Sequence, residues 1–369
     1  MSTALFESAG LAEIAGKAAA GQRLSREDGM QLLATRHLAA VGALANMARE
    51  RLHGDRAYFI VNRHINYTNI CVNRCRFCAF SRSPGDADAY VLSVEECLEK
   101  AGSFRGGRVS EFHVVGGCHP DLTLDYYTRM LSELRSRFPG VHLQAFTAVE
   151  IAHMARVSGI SVRECLERLR EAGLGSLPGG GAEVFSSRVR DQLCPQKLSG
   201  DGWLEVMRAA HPLGIRSNCT MLYGHIETPA EVVDHLLRLR ELQDETGGFL
   251  AFIPLALHPE NTQLAGQVAG PSAMDHLRVL AASRLLLDNI PHVKTFWIMV
   301  GLKLAEIALS FGADDVDGTV VEENITHAAG ARTPEALSIG EIEGLIERAG
   351  RIPVERDTLY QPADKAGML

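Results

Sequence analysis

No stretch of this 369-residue sequence stays apolar for the roughly 20 residues needed to cross a bilayer, so it does not read as a helical membrane protein. Runs of lysine and arginine are also missing. Basic residues number 37 against 45 acidic ones, the net charge is -8, and no nucleic-acid footprint is expected. Residues 1–20 carry acidic side chains among apolar ones and lack the basic start and continuous apolar centre of a secretory signal, so the expected location is cytoplasmic. Low-complexity tracts and long Pro/Gly/Ser linkers are absent as well, which leaves no obvious seam between separable domains.

What remains is an ordinary globular composition, 46% apolar and 22% charged, for which a small molecule is the default substrate. Eight cysteines in a reducing compartment do not suggest a disulfide framework, particularly since three of them fall within eight residues. After an N-terminal helical segment at about 11–52, short apolar or β-branched runs alternate with longer amphipathic stretches. Eight candidate strands lie near 58–67, 111–115, 142–147, 173–177, 215–222, 249–255, 293–300 and 312–318. Helical patterns fall between them, among others at 93–103, 124–137, 161–172, 201–211, 229–246, 272–289 and 302–311. Eight strand-helix units of this size match an α/β protein built as a closed (β/α)8 barrel, with a doubly wound open sheet as the alternative. The expected organisation is an N-terminal helical extension over 1–56, the barrel over 57–330, and a C-terminal helix and tail over 331–369 that pack on the barrel. The tail reads as extended from Pro353 onward.

Cys71, Cys75 and Cys78 have Cys-x3-Cys-x2-Cys spacing and begin just after the first expected strand, at the barrel face where active sites are built. Thiolates ligate iron-sulfur clusters, and a four-iron cluster with three local cysteines keeps one iron open to a chelating small molecule. A zinc site completed by a histidine such as His64 is the other reading, but zinc sites usually pair their ligands in two short hooks, which this sequence lacks. Cys97, Cys118, Cys165, Cys194 and Cys219 read as buried small residues, with Cys118 left open because it follows a glycine pair. Asn62, His64, Asn66 and Thr68 share one face of the first strand, and a polar interior face suggests a cavity for polar ligands. With the register reversed, that face would merely meet a helix.

The spacing, with Phe77 before the last cysteine, resembles the radical S-adenosylmethionine (SAM) superfamily. The string NYTNICVNRCRFCAF over 66–80 is similar to the branch that holds the futalosine-pathway enzymes of menaquinone biosynthesis and the deazaflavin synthases. Within it, HVVGGCHP at 113–120, AFTAVEI at 145–151, LPGGGAE at 177–183 and MLYGHIE at 221–227 resemble the aminofutalosine synthases. Cys118 departs from the pattern, which has an aliphatic residue there. The resemblance covers about 57–330 and implies a [4Fe-4S] cluster on the three cysteines and SAM as co-substrate. The radical from SAM would add to the vinyl ether of 3-[(1-carboxyvinyl)oxy]benzoate, and rearrangement and decarboxylation would follow. It also implies an electron donor such as a flavodoxin or ferredoxin. The alternatives are the cyclisation of dehypoxanthine futalosine by hydrogen abstraction, and a non-catalytic iron-sulfur or zinc protein.

Phe77, Gly116, Gly117, Glu183 and Arg188 are then candidates for holding SAM; each glycine could instead serve only a tight turn, and the Glu/Arg pair only a helix end. Arg63, His64, Arg82, His119 and His225 are candidates for a substrate with two carboxylates. His119, Glu227 and Asp317 are the candidates for a catalytic group, although each such residue is more often a cap.

Overall fold

The computed structural model describes residues 3–103 and 108–363; 364–369 of the expected tail and the first two residues lie outside them. Ten strands appear in chain order: β1 Arg56–Ile60, β2 Asn62–Ile65, β3 Glu111–Val114, β4 His142–Ala145, β5 Ser176–Leu177, β6 Arg216–Tyr223, β7 Phe249–Ala256, β8 His292–Val293, β9 Asp315–Gly318 and β10 Ile352–Glu355. β2 to β8 form one parallel sheet in sequential order. β1 pairs in parallel with β9 on one side and β10 on the other. β1 and β2 are two halves of one expected strand, interrupted at Val61. The remaining gap is closed by Thr295 N–H to Asp315 O (2.8 Å), Asp314 N–H to Val293 O (3.0 Å) and His64 N–H to Val321 O (3.0 Å). The result is the expected α/β barrel of TIM type, with helices outside it and Phe112, Leu143, Leu177, Phe252 and Val293 among the buried side chains of its strands.

The helices form where a Ser or Thr precedes the amphipathic run by one residue and an acid follows three residues later. Ser93/Glu96, Thr147/Glu150, Thr228/Glu231, Ser272/Asp275 and Ser338/Glu341 each close a reciprocal capping box. The helices Leu124–Arg137 and Pro229–Thr246 have the boundaries their patterns suggest. The N-terminal segment is divided into the helices Ala12–Ala19, Arg26–Ala34 and Leu38–His53.

Three expectations need correction. The run 293–300 is two residues of strand followed by the short helix Trp297–Val300, because the apolar string after Phe296 turns inward, where Trp297 Nε1 donates to Gly318 O at 2.8 Å. The helix Ala148–Ser158, which the pattern does not single out, follows β4. The C-terminal segment is also more than an extended tail, since β10 adds to β1 and Arg356 reaches under the barrel to Asp315 (2.6 Å).

Candidate active site

The loops at the C-terminal ends of the strands enclose a cavity of about 300 Å³. Cys71, Cys75, Cys78, Phe77, Gly116, Gly117, Glu183, His64 and Asp317 all line it. Seven non-glycine residues have positive φ, and six of them, Arg74, Phe146, Glu183, Asp317, Val320 and Glu322, sit at this end of the barrel. Strained backbone concentrates where surrounding structure must aim side chains at a ligand.

The cysteine loop rests on the loop after β3. A Cβ on Gly117 would lie 2.2 Å from Ile70 O, and one on Gly116 would lie 2.8 Å from the Tyr67 ring, so only glycine permits this approach. The buried carboxylate of Glu150 fixes the pair: it accepts Gly116 N–H (3.0 Å) and Tyr67 O–H (2.7 Å), while its other oxygen accepts Thr147 N–H (2.7 Å). Burial pushes this carboxyl above its ordinary pKa, and the bonds from Thr147, Tyr67 and Gly116 oppose the shift.

The donor set fits a cluster better than a single ion. Tetrahedral zinc at about 2.3 Å from each sulfur needs thiolates within roughly 4 Å of one another. Among the described residues the group whose ligand atoms all lie within 4.8 Å is His53, His292 and Asp314, at the other end of the barrel, and the three cysteines do not form such a group. A cubane binds each thiolate on a separate iron and so requires the wider spread. The neighbouring Cys118 thiol and the backbone N–H groups of Asn73 and Cys118 hold the Cys71 pKa down at about 5 against burial. Burial pushes the Cys78 thiol up, opposed by the N–H groups of Phe80 and Ser81. The neighbouring Cys194 thiol pushes Cys75 up, and burial adds to it.

Sequence reasoning missed Lys197, which lines the cavity between cluster loop and Glu183. Its ammonium lies 2.6 Å from Glu183 and 5.5 Å from the centre of the Phe77 ring. Burial lowers its pKa, but Glu183 and the sulfurs of Cys75 and Cys194 outweigh that and raise it, so a fixed positive charge sits beside the thiolates. The signal was faint: one lysine three residues after Cys194.

Away from the cysteines, the cavity meets a polar layer of the barrel. His64 on β2, His113 on β3, Gln144 on β4 and Ser176 on β5 are register partners in turn. The His64 and His113 rings stack at 4.4 Å, and His64 Nε2 is buried without a hydrogen-bond partner. Burial, reinforced by each other and by Lys294, holds His64 well below its ordinary pKa and keeps it neutral. Burial raises the Asp317 carboxyl, with Lys294 opposing and Asp315 adding to the shift. The polar face of the first strand therefore points inward, as one of the two registers required.

Other candidates lie elsewhere. Arg63 points outward to Glu322 (2.9 Å) and Ser103 Oγ (2.9 Å). Arg82 binds Asp88 (2.7 Å) and the carbonyl groups of Ala79 and Ser81, bracing the loop after Cys78. Arg188 is half-exposed and pairs with Glu231 and Ile226 O at the end of a helix, away from the cavity. His119 Nδ1 accepts the Asp121 N–H in a turn. Glu227 accepts the N–H groups of Gly224 and His225, and both His225 and Glu227 line a separate surface depression of about 510 Å³. That depression is larger but holds none of the cysteines, so the enclosed cavity carries the chemistry. The cavity lining includes no arginine among the described residues.

A parallel barrel with three unpaired thiols and a glycine cradle at its C-terminal mouth is the plan of enzymes that run radical chemistry on a cluster. The radical SAM superfamily model matches residues 65–239 and that of the CofH/MqnC C-terminal region matches 246–368. The chain belongs to the radical SAM superfamily, and within it to the branch of the aminodeoxyfutalosine synthases, being 47% identical to that of Thermus thermophilus over 95% of each chain. It is also 44% identical to a 5-amino-6-(D-ribitylamino)uracil–L-tyrosine 4-hydroxyphenyl transferase of Methanopyrus kandleri, over 86% of this chain and 87% of that one. A crystal structure of methylornithine synthase, at 18% identity, shares the fold with a TM-score of 0.73 over 92% of this chain and 96% of that one. The family implies a [4Fe-4S] cluster and SAM. No described helix is long and apolar enough to cross a membrane.

Proposed function

We propose that the chain is a cytoplasmic enzyme of menaquinone biosynthesis that joins the 5'-deoxyadenosyl group of SAM to 3-[(1-carboxyvinyl)oxy]benzoate, giving aminodeoxyfutalosine after rearrangement and decarboxylation. The observation that carries the reading is the single cavity with cysteines and glycines at one end and a neutral imidazole pair at the other. The 47% identity over nearly the whole chain supports the particular reaction.

Cys71, Cys75 and Cys78 hold the cluster. When bound, it supplies the electron that splits SAM into methionine and the deoxyadenosyl radical, and the electron arrives from a carrier such as a flavodoxin or ferredoxin. Gly116 and Gly117, held by Glu150, leave room for the methionine part of SAM to approach the backbone. Glu183, fixed by Lys197, offers a carboxylate to its amine. Lys197 also places a positive charge next to the thiolates, which favours the reduced, more negative cluster. His64 and His113 face the substrate end. There the free Nε2 of His64 provides a hydrogen-bonding group for a carboxylate, in place of the arginines the cavity lacks among the described residues. No protein base is needed, and the residues position the reactants and exclude water. The segments 1–56, 57–330 and 331–369 act as one unit, the described residues of the first and last packing on the barrel.

The test is anaerobic reconstitution with iron and sulfide, incubation with SAM, dithionite and the enolpyruvyl benzoate, and mass spectrometry. An adduct with the whole deoxyadenosyl group is expected. Free 5'-deoxyadenosine with untouched benzoate overturns the substrate. Consumption of tyrosine with the ribitylaminouracil in a parallel reaction would assign the hydroxyphenyl transfer instead, and cyclisation of dehypoxanthine futalosine would assign the second futalosine-pathway reaction.

A further inference from the structure

Between β7 and the helix Ala273–Leu286 the chain makes a loop, 257–270, whose ends touch: Gly270, at φ +71°, comes so near that a Cβ there would lie 3.1 Å from Leu257 O. The loop is bonded largely to itself. Thr262 donates to Pro259 O through N–H (3.0 Å) and Oγ (2.9 Å), Gln267 N–H donates to Leu264 O (2.9 Å), and Gln267 Nε2 donates to Gln263 O (2.7 Å). Leu264, 1% exposed, anchors it, while most of its neighbours in the loop are exposed. Compact loops with adjoining ends are frequently functional, and one held by so few buried side chains can swing as a piece. Its flank Gln267 to Pro271 borders the open depression of about 510 Å³, which leaves room for that movement.

The tip spans two walls of the cavity. On one side Asn261 closes the end of the helix Ile325–Ala329, donating through Nδ2 to Ala328 O (2.9 Å) and through N–H to Ala329 O (3.4 Å). Ile325 and Thr326, the first residues of that helix, line the cavity. On the other side stands Arg76, between two of the cluster cysteines. Its carbonyl accepts Gln263 N–H (3.0 Å) and its Nη2 donates to Gln267 Oε1 (2.8 Å). Arg76 is also fastened behind, through N–H to Leu193 O (2.8 Å) and Nη1 to Gln192 O (3.3 Å). Neither Arg76 nor a residue of 257–270 is among the described residues that line the cavity, so these bonds do not serve to contact a ligand.

We propose that 257–270 is the gate of the cavity and that Arg76 is the positioning residue onto which it latches. A filled cavity fixes the helix Ile325–Ala329, that helix holds Asn261, and the seated loop holds Arg76 and with it the cysteine loop. With the gate open, Arg76 keeps only its bonds to Gln192 and Leu193, and the cysteine loop loses one of its two supports. A misplacement of about 1 Å can cost ~10²-fold in a reaction that depends on alignment, so productive transfer to the second substrate is confined to the shut state. The shut loop also excludes water and commits both substrates. The latch thus ties the cleavage of SAM to the presence of its reaction partner.

The inference rests on the proposed function for the identity of the substrates, and iron content and adduct formation in the unaltered chain test that reading separately. Three variants then test the latch. Gln267→Ala removes the acceptor of Arg76 Nη2, Gln267→Glu keeps it, and Asn261→Ala frees the far side of the loop. With iron content unchanged, Gln267→Ala and Asn261→Ala should raise free 5'-deoxyadenosine per adduct several-fold, and Gln267→Glu should stay near the unaltered chain. An unchanged ratio in the two alanine variants, or Gln267→Glu behaving as Gln267→Ala does, overturns the proposal. Amide hydrogen exchange, followed by mass spectrometry with and without the cluster, gives a readout that needs no turnover. Asn261→Ala touches no residue of the cysteine loop, yet it should speed exchange in the peptide that contains Arg76. Faster exchange confined to 257–270 and the helix Ile325–Ala329 overturns the coupling, and this arm decides the matter if the benzoate proves not to be the substrate.

Discussion

The imidazole of His64 is stacked on that of His113 at 4.4 Å, and its Nε2 is one of the few buried side-chain atoms without a partner. An orphaned buried nitrogen costs about 1–3 kcal/mol, so a ligand that satisfies it gains by the same order. We expect His64→Phe, which keeps the stacked ring and loses the nitrogen, to lower kcat/KM for the benzoate by about 10–100-fold, while SAM is still cleaved and appears as free 5'-deoxyadenosine. Coupled turnover at the unaltered rate would remove His64 from the substrate end. That the three cysteines gather at one cavity was legible from their close spacing, and the inward direction of His64 from the strand alternation that put it on a polar face. Arg63, one residue away, was misplaced because the same alternation turns it outward to Glu322. Glu150 and Lys197 were invisible because their roles arise from sequence-distant partners, the Gly116 amide for one and Glu183 for the other.

At the level of elements, the amphipathic and β-branched runs made most helices and the positions of the barrel strands readable, except that 293–300 holds only a short strand end before a helix. β10 escaped because Pro353 breaks its pattern; as an edge strand beside β1 it can carry a residue without an N–H. Its packing is more than marginal. Arg356 is fully buried, bonded to Asp315 at 2.6 Å and stacked 4.1 Å from the Tyr360 ring, while Thr358 donates to Glu111 (2.8 Å). Removing one partner of a buried pair leaves the other charge unpaired, so Arg356→Met should cost about 3–5 kcal/mol, read as a lower urea midpoint in the cluster-free chain. A midpoint within error of the unaltered chain would mean that the C-terminal segment only rests on the barrel.

For the whole molecule, buried histidines set the response to pH. Burial holds His211 and His276 at about 4 and His235 at about 3, each neutral and hydrogen-bonded to Ser217, Tyr223 and Thr220 respectively. Unfolded, they titrate near 6.5. The folded pKa is depressed, so the stability from keeping them neutral is complete above about 6.5 and is lost as pH falls toward 4, at roughly 4 kcal/mol per unit for three protons. His327 runs the other way: Glu323 raises it to about 9, so its contribution is present below about 6.5 and fades as pH rises through 9. Melting temperatures should therefore peak near neutrality and fall steeply on the acid side. A flat profile from pH 7 to 4.5 would show that these imidazoles are already solvated.

The interruption of the first strand at Val61 has a consequence for the order of assembly. Its lower half is held between β9 and β10, with Arg56 beside Ile352, and its upper half leads straight into the cysteine loop. The strand that aims those thiols lacks both neighbours of its lower half until β9 and β10 have left the ribosome, about 15–60 s later at ~5–20 residues per second, and pairings of such long sequence separation are slow to form. Iron and sulfide delivered to a nascent chain would meet a loop with no floor beneath it. Metal loading of this chain belongs after translation, so slowed elongation near β10 should delay loading and leave the iron content of the finished protein unchanged.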